Sequence, residues 1–350
     1  MDTRQPRPGV CEADALPEDV VLRVTGLCKT YGGNGRDARS GVVKAVDDVS
    51  FDVRRGRTLA LVGESGCGKT TIARCVLRAV EPTAGRVTFR TAAGETVDLS
   101  DLPVRRLRAL RAEFQMVFQD PYASLNPRLK VRDIIAEPLV IHGWRDRARI
   151  DARVDELLQL VGLRRDHANR YPNAFSGGQR QRIGIARALA LSPRLIVADE
   201  AVSALDVSVQ AQILNLLLDL QDALGLSYLF VSHDLAVIKH VADEVAVMYV
   251  GQMVEQGPCE DLFRRPLHPY TASLLAAVPK PDPSLRGGPR PLAGEVASPR
   301  NPPSGCYFHP RCPFAEARCK EMAPAWREVE PGRSVRCHRA DELTLLGVRA

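Results

Sequence analysis

At 350 residues, with 45% apolar and 26% charged side chains, the chain has the make-up of a globular protein, either one large domain with an appendage or two domains. No uncharged stretch approaches the ~18–20 residues of a membrane span, and Met1–Pro8 lacks the apolar core of a signal peptide, so the chain is expected to stay on the cytosolic side. The net charge of +6, from 48 basic against 42 acidic residues, is too slight to argue for nucleic acid.

Residues 1–19 are rich in Pro, Asp, Glu and Arg without periodicity and read as a loose tail. Val20–Val24 begins a strand, residues 32–41 form a polar glycine-rich loop, and Val42–Val46 and Val49–Val53 alternate like two antiparallel strands. Leu59–Val62 is an apolar run of strand length. Gly63-Glu64-Ser65-Gly66-Cys67-Gly68-Lys69-Thr70 then fits G-x-x-x-x-G-K-[ST], and Ile72–Leu77 reads as the helix that follows. Strand, glycine loop and helix are the context in which this spacing binds phosphate. Gly63, Gly66 and Gly68 let the backbone curl so that consecutive N–H groups face phosphate oxygens, and the positive end of the helix adds to that anion site. Lys69 would reach the β- and γ-phosphates and the Thr70 hydroxyl would hold Mg²⁺. Cys67 occupies a position that the motif leaves free and reads as a small filler.

Gly85–Phe89 is another strand, and Arg105–Arg111 reads as the solvated face of a helix. Phe114–Gln119 is an apolar run ending in a glutamine, and its two prolines make Asp120–Pro127 a loop. Helical patterns dominate from Val131 to Leu163. Phe175-Ser176-Gly177-Gly178-Gln179 then offers a second phosphate-contacting turn at a helix start, where two glycines allow close approach and Ser176 can donate to a γ-oxygen.

Leu195–Glu200 is a buried strand ending in two carboxylates. Asp199 is placed to hold the Mg²⁺ hydration shell, and Glu200 to act on the attacking water as general base or orienter. Val209–Leu224 is helical, and Tyr228–His233 is a strand whose terminal histidine can bridge γ-phosphate and water. Gln119 can touch Mg²⁺ or the same water. Val245–Met248 and Gly251–Glu255 form a closing pair of strands, and from Pro266 onward prolines multiply. Strands alternating with helices imply an α/β parallel core, here with an antiparallel N-terminal layer and a helical insert.

Nine cysteines in a cytosolic chain argue against structural disulfides. Cys306, Cys312, Cys319 and Cys337 cluster late with the spacing C-x5-C-x6-C-x17-C. Four thiolates suit Zn²⁺ or an iron–sulfur cluster, and the plain alternative is four reduced thiols in a small packed appendage.

Taken in order, Gly63–Thr70, Gln119, Phe175–Gln179, Leu195–Glu200, Ser203–Asp206 and His233 resemble the Walker A, Q-loop, signature, Walker B, D-loop and switch-histidine motifs of ATP-binding cassette (ABC) transporter ATPases. The resemblance covers roughly residues 20–260. Phe175 stands where Leu is commoner and Ala201-Val202 where Pro-Thr is usual, and neither change removes a catalytic group.

The resemblance implies an α/β fold, an ABC-type P-loop NTPase cassette over 20–265 with an antiparallel β subdomain and a helical subdomain at about 105–190. A small Cys-containing extension follows over 266–350. It implies hydrolysis of ATP with Mg²⁺, with Glu200, His233 and Gln119 catalytic. Gly63, Glu64, Ser65, Gly66, Cys67, Gly68, Lys69, Thr70, Thr71 and Asp199 would hold the nucleotide, with Thr70, Gln119 and Asp199 on the metal. Tyr31 would stack on adenine. Cassettes of this family pair head to tail, so Ser176, Gly177, Gly178, Gln179 and Asp206 would act at the interface with a partner's nucleotide.

Gln115–Pro127, Pro266–Thr271 and Asn301–Pro313 are similar to the dipeptide/oligopeptide importer subfamily, most of all to its second ATPase subunit type. Nickel and glutathione importers are similar as well. This implies a peripheral protein on the cytoplasmic face of the cell membrane. Its partners would be a second ABC ATPase subunit, in a heterodimer or homodimer, two membrane permease subunits and, indirectly, an extracytoplasmic substrate-binding protein. Nucleic acid would play no part. Some members carry a [4Fe–4S] cluster in this tail, which designates Cys306, Cys312, Cys319 and Cys337 as its ligands. The other class to weigh is a soluble cassette ATPase of DNA repair or translation, which often has two cassettes or a coiled-coil insert. Here each motif occurs once and no heptads are sustained. A GTPase is excluded because no Asn is followed by Lys, so the guanine-reading Asn-Lys-x-Asp is absent.

Overall fold

A computed structural model describes residues 16–32, 42–277 and 294–347. Most of the expected loose tail, residues 1–15, lies outside them. Leu16, the first described residue, is buried, with its carbonyl accepting from Arg90 while Asp19 pairs with Arg54.

Among the described residues twelve strands form two sheets. β1 (Val20–Tyr31), β2 (Val43–Arg54), β4 (Ala84–Arg90) and β5 (Thr96–Asp98) make an antiparallel sheet in the order β2-β1-β4-β5. The larger sheet contains β3 (Thr58–Val62), β6 (Phe114–Val117), β7 (Leu195–Asp199), β8 (Ser227–Val231), β9 (Glu244–Tyr249), β10 (Gln252–Pro258), β11 (Arg327–Glu330) and β12 (Arg333–Val335). Its order is β11-β12-β10-β9-β3-β8-β7-β6. From β9 to β6 the strands run parallel, and β10, β12 and β11 are added antiparallel.

Period-two alternation along the short central strands explains how one sheet serves two cores. Ala60, Val62, Ile196, Ala198, Tyr228 and Phe230 face one side. There they pack with α3 (Val131–Ile141), α4 (Arg147–Leu160), α5 (Gly177–Leu189) and α6 (Val207–Leu224). Their neighbours Leu59, Leu61, Leu195, Val197, Leu229 and Val231 face the other side, against the antiparallel sheet and the helix at Lys69–Val76, here α1. The helix at Val104–Leu110 is α2; α7 (Leu235–Val241) and α8 (Cys259–Arg264) flank β9 and β10 in sequence, followed by α9 (Pro269–Ala276) and α10 (Ala317–Glu321). Among the described residues no helix is long and apolar enough to cross a membrane.

The structure departs from the sequence expectation in two places. The two strands expected over 42–53 are one twelve-residue strand, β2, whose ladder to β1 slips between Val24 and Leu27 and again before Lys29. Asp48 takes a left-handed conformation there, with φ 55°, so the extra length is absorbed as a bulge and the strand bends without ending. The segment from Pro266 onward returns to the cassette and adds β12 and β11 to the main sheet, with Glu255 paired to Val335.

A buried charge fixes that return. The Glu255 carboxylate, fully buried in β10, accepts from the N–H groups of Leu267 (2.8 Å) and His268 (2.9 Å) and from Arg333 of β12 (3.3 Å). Burial pushes the His268 imidazole down to about 3. It is therefore neutral near pH 7, and Nδ1 accepts from the Tyr270 N–H (3.0 Å) as the N-cap of α9.

Candidate nucleotide-binding site

The loop between β3 and α1 is shaped by its neighbours as much as by its own sequence. A Cβ on Gly63 would run into the Met248 carbonyl oxygen of β9, and one on Gly68 into the Ala45 carbonyl oxygen of β2. Gly68, with φ 110°, is also the N-cap of α1, so it needs a conformation that other residues rarely adopt. No acidic residue occupies the first turn of α1 to oppose its positive end. The Lys69 ammonium is buried and bends back over the loop to donate to the carbonyls of Gly63 (2.7 Å) and Glu64 (3.1 Å). Beside it lies a cavity of about 290 Å³ lined by Ala45, Ser65, Gly66, Gly68, Lys69, Thr70, Thr71, Gln119 and Glu200.

Glu200 lines this cavity, while the carboxylate before it, Asp199, meets it only through Thr70. Asp199 ends β7, is nearly fully buried, and accepts from the Thr70 hydroxyl at 2.9 Å. Burial holds its carboxyl above the usual range. The Thr70 hydrogen bond and the charges of Arg74 and Lys69 pull the other way, while the neighbouring Glu200 charge adds to the rise. A hydroxyl and a carboxylate in contact at the mouth of the loop are a fitting pair for Mg²⁺, which takes few protein oxygens and keeps much of its water.

Glu200 follows with φ 48°, which swings its side chain away from the strand's alternation. One carboxylate oxygen accepts from the Gln119 amide at 2.7 Å, and the other lies 3.2 Å from His233 Nδ1. Its N–H bonds to the Val231 carbonyl (2.9 Å), so β8 holds the turn. Gln119, Glu200 and His233, far apart in sequence, form one cluster.

Other candidates sit elsewhere. Ser176 caps α5 in a reciprocal box with Gln179, and neither Ser176, Gly177, Gly178, Gln179 nor Asp206 lines the cavity. Gly178 packs so closely on α6 that a Cβ there would meet Val209. Asp206 precedes α6 as its N-cap residue without a side-chain capping bond. Tyr31 ends β1 beneath the Lys29 ammonium (4.9 Å), away from the cavity lining, and the loop 33–41 after it lies outside the described residues. Cys67 is buried behind the loop, and burial pushes its thiol up. Glu64 turns away from the cavity: its carboxylate meets Arg311 and its N–H donates to the Tyr270 hydroxyl.

Ala45, Arg311 and Tyr270 were not legible as parts of this site. Tyr270 and Arg311 lie in quoted motifs of the extension, but nothing in their spacing says that they return to a loop some 200 residues earlier.

The four late cysteines line one small cavity of about 20 Å³ beside His268, Phe308 and His338. All four are free thiols, and burial pushes Cys306, Cys312 and Cys337 to about 11. Among the described residues no group of three or more His, Cys, Asp or Glu side chains is already placed to hold an ion.

Comparison with known proteins agrees with this geometry. Residues 46–203 match the family model described as ABC transporter, and residues 254–319 match the oligopeptide/dipeptide transporter C-terminal region. The chain is 53% identical over 322 residues to a probable peptide ABC transporter ATP-binding protein, y4tS, of Sinorhizobium fredii, covering 91% of this chain and 90% of that one. It is 54% identical over 300 residues to a putative oligopeptide transport ATP-binding protein, YkfD, of Bacillus subtilis, covering 85% and 89%. Among solved structures, a dimeric post-hydrolysis state of the ATP-binding cassette MJ0796 bound to ADP and Pi superposes with a TM-score of 0.59 at 27% identity, covering 68% of this chain and 98% of that one.

The loop geometry makes a testable distinction between two glycines. Gly66 and Gly68 both have positive φ, but a Cβ on Gly66 meets nothing within 4 Å, whereas one on Gly68 meets backbone. Gly66→Ala should cost only conformational strain, about 1–2 kcal/mol. Gly68→Ala should displace the loop and weaken nucleotide binding at least about tenfold more than Gly66→Ala. Titration of both variants with a fluorescent nucleotide checks this. Equal losses would show that the close approach to β2 is unimportant.

Proposed function

This chain belongs to the ABC transporter family as an ATP-hydrolysing subunit, and from that premise we propose that it powers the import of dipeptides or oligopeptides. The observation that carries the cargo is the match of residues 254–319 to the oligopeptide/dipeptide transporter C-terminal region, joined to relatives named for peptide transport. Nickel and glutathione import by the same machine is the second reading. In this reading residues 20–265 are the cassette, with its helical part at about 105–190, and 266–350 the extension. The protein works at the cytoplasmic face of the membrane beneath two permease subunits.

In the proposed mechanism the β3–α1 loop and Lys69 receive the phosphates, and Thr70 and Asp199 would hold Mg²⁺, whose chemistry there would be neutralisation of phosphate charge. Glu200 takes the proton of the attacking water, while His233 and Gln119 hold its carboxylate in line from either side. Ser176–Gln179 serve the nucleotide of a second cassette, which accounts for their position outside the cavity of their own chain. Glu200→Gln removes the base but keeps the volume and hydrogen-bonding capacity, so it should retain ATP binding and slow hydrolysis by at least ~10²-fold in the assembled transporter. Lys69→Ala should weaken ATP binding itself. Near-normal turnover by Glu200→Gln would remove Glu200 from the mechanism.

The segment after Gln119 is the proposed link to the membrane. A groove of about 640 Å³ beside it is lined by Phe118, Gln119, Asp120, Ser124, Glu137 and Arg187, among others. The same segment rests on α5: Arg180 stacks over Tyr122, and Arg187 donates to the Ser124 carbonyl. A permease helix seated there would therefore be mechanically connected to both Glu200 and Ser176. The resemblance of Asp120–Arg128 and Ile134–Leu139 to the second ATPase subunit type favours a heterodimer. Reconstitution with the permeases, with and without a second cassette protein, checks this. Full ATP-driven uptake without the second protein would establish the homodimer instead.

Cys306, Cys312, Cys319 and Cys337 are proposed to hold a [4Fe–4S] cluster. Their donor chemistry fits, since four reduced thiols line one cavity, but the shell would have to draw inward around the metal. Thiols raised to about 11 by burial would release protons as they bind it, so metal affinity should rise with pH. Anaerobically purified protein should be brown and contain iron. Zinc alone would keep the ligand set and remove the cluster, and no metal at all would remove both.

A further inference from the structure

The extension reaches the nucleotide loop from two sides. On one side, the Arg311 guanidinium forks onto the Glu64 carboxylate, with Nη1 to Oε2 at 2.8 Å and Nη2 to Oε1 at 3.0 Å. The Arg311 side chain is only 6% exposed and that of Glu64 26%, so the pair is partly shielded from water. The Tyr270 hydroxyl accepts from the Glu64 N–H at 3.0 Å. Tyr270 is itself fully buried against Tyr249 (ring centroids 4.8 Å apart) and Phe308 (5.4 Å). Its place is set by the Glu255–His268 network at the start of α9. On the other side, the Pro299 carbonyl accepts from the Lys44 N–H (3.0 Å), and the Tyr307 hydroxyl donates to Asp47 (2.8 Å). Those contacts bracket Ala45, whose carbonyl abuts Gly68 and which lines the nucleotide cavity.

We propose that the C-terminal extension braces the nucleotide loop and that Arg311 and Tyr270 are positioning residues for ATP binding. The proposal rests on reading the cavity as the ATP site. The Glu64 carboxylate sits in a loop that must receive phosphate, and negative charge there, left alone, would oppose the ligand. The Arg311 fork cancels that charge and fixes its direction, pointing it out of the cavity. Tyr270 holds the Glu64 N–H in the same outward sense, leaving the cavity to Ser65, Gly66 and the residues from Gly68 onward. A brace needs no contact with the nucleotide. It acts on the population of loop conformations able to bind, and therefore on affinity rather than on the chemical step.

The test uses the full-length chain, with MgATP affinity measured by titration and folding by circular dichroism and thermal melting, followed by ATPase kinetics in the assembled transporter. Arg311→Met leaves a partly shielded carboxylate uncompensated beside the phosphates and should weaken MgATP binding about tenfold. Tyr270→Phe should weaken it about threefold. Adding Glu64→Gln to Arg311→Met should recover most of the loss, because the charge that Arg311 balanced is gone. In the transporter the KM for ATP should rise while kcat at saturating ATP stays within about twofold. Arg311→Lys, which keeps the charge without the fork, should fall between wild type and Arg311→Met, and it substitutes for Arg311→Met should that variant not fold. A lowered melting temperature with unchanged MgATP affinity would overturn the brace and leave Arg311 as a docking residue only. Failure of the double variant to recover affinity would overturn the charge argument. Wild-type protein that binds no MgATP would instead overturn the ATP-site reading, and the brace with it.

Discussion

The structure depends on how closely backbone approaches backbone at the β3–α1 loop. The pairing of Val62 with Val247 carries Met248 to the start of the loop, and the bend of β2 carries Ala45 to its end. Two carbonyl groups, one from each sheet, thus leave no room for a Cβ at Gly63 or Gly68. A loop of six residues, Gly63–Gly68, has no means of holding its own curl, because each fixed residue costs about 1–2 kcal/mol of backbone entropy. The cost is met by the two layers that grip it. The anion site is therefore a tertiary feature, and any change in how the sheets sit on each other is felt at the phosphates.

The same logic separates two carboxylates that are adjacent in the chain. Strand alternation buries Asp199 against Thr70, where a hard cation can use it. The left-handed turn at Glu200 breaks the alternation and sends the next carboxylate toward Gln119 and His233. Such a conformation costs a non-glycine residue about 1–3 kcal/mol and persists only where the surroundings enforce it. Here the enforcement is visible: the Glu200 N–H is tied to Val231, and its carbonyl accepts from the N–H and hydroxyl of Ser203. Strain at this position sets two adjacent carboxylates in different environments, one buried against Thr70 and one held between Gln119 and His233.

The parallel core and the Walker residues were legible because short buried strands with period-two alternation, a glycine loop and strand-terminal carboxylates are local patterns. The buried strand ending in Asp199, with Glu200 directly after it, could be read from six consecutive residues. The two-strand reading of residues 42–53 missed the continuity of β2, because the bulge at Asp48 depends on pairing with β1 and leaves no periodic mark. The placement of Ser176–Gln179 outside the cavity was legible only through resemblance, since one chain read alone gives no reason for a phosphate-like turn without a phosphate site. Arg311 and Tyr270 were illegible for a related reason. Their function lies in contacts across more than 200 residues, and sequence separation carries no trace of that proximity.

The extension also shows why a short, proline-rich tail need not be an independent unit. Its own apolar cluster is small, formed around Leu267, Val335 and Ala340, and too small to hold a separate fold. It borrows instead: β12 takes its ladder from β10, Arg333 shares the buried Glu255 charge, and Phe308 completes an aromatic group with Tyr249 and Tyr270. Tyr249 is the last residue of β9, next to the carbonyl that confines Gly63. Opening the extension therefore loosens the strand end that shapes the nucleotide loop, and the two belong to one cooperative unit. By linkage the coupling runs in both directions: whatever stabilises the loop, nucleotide included, must also hold the extension closed.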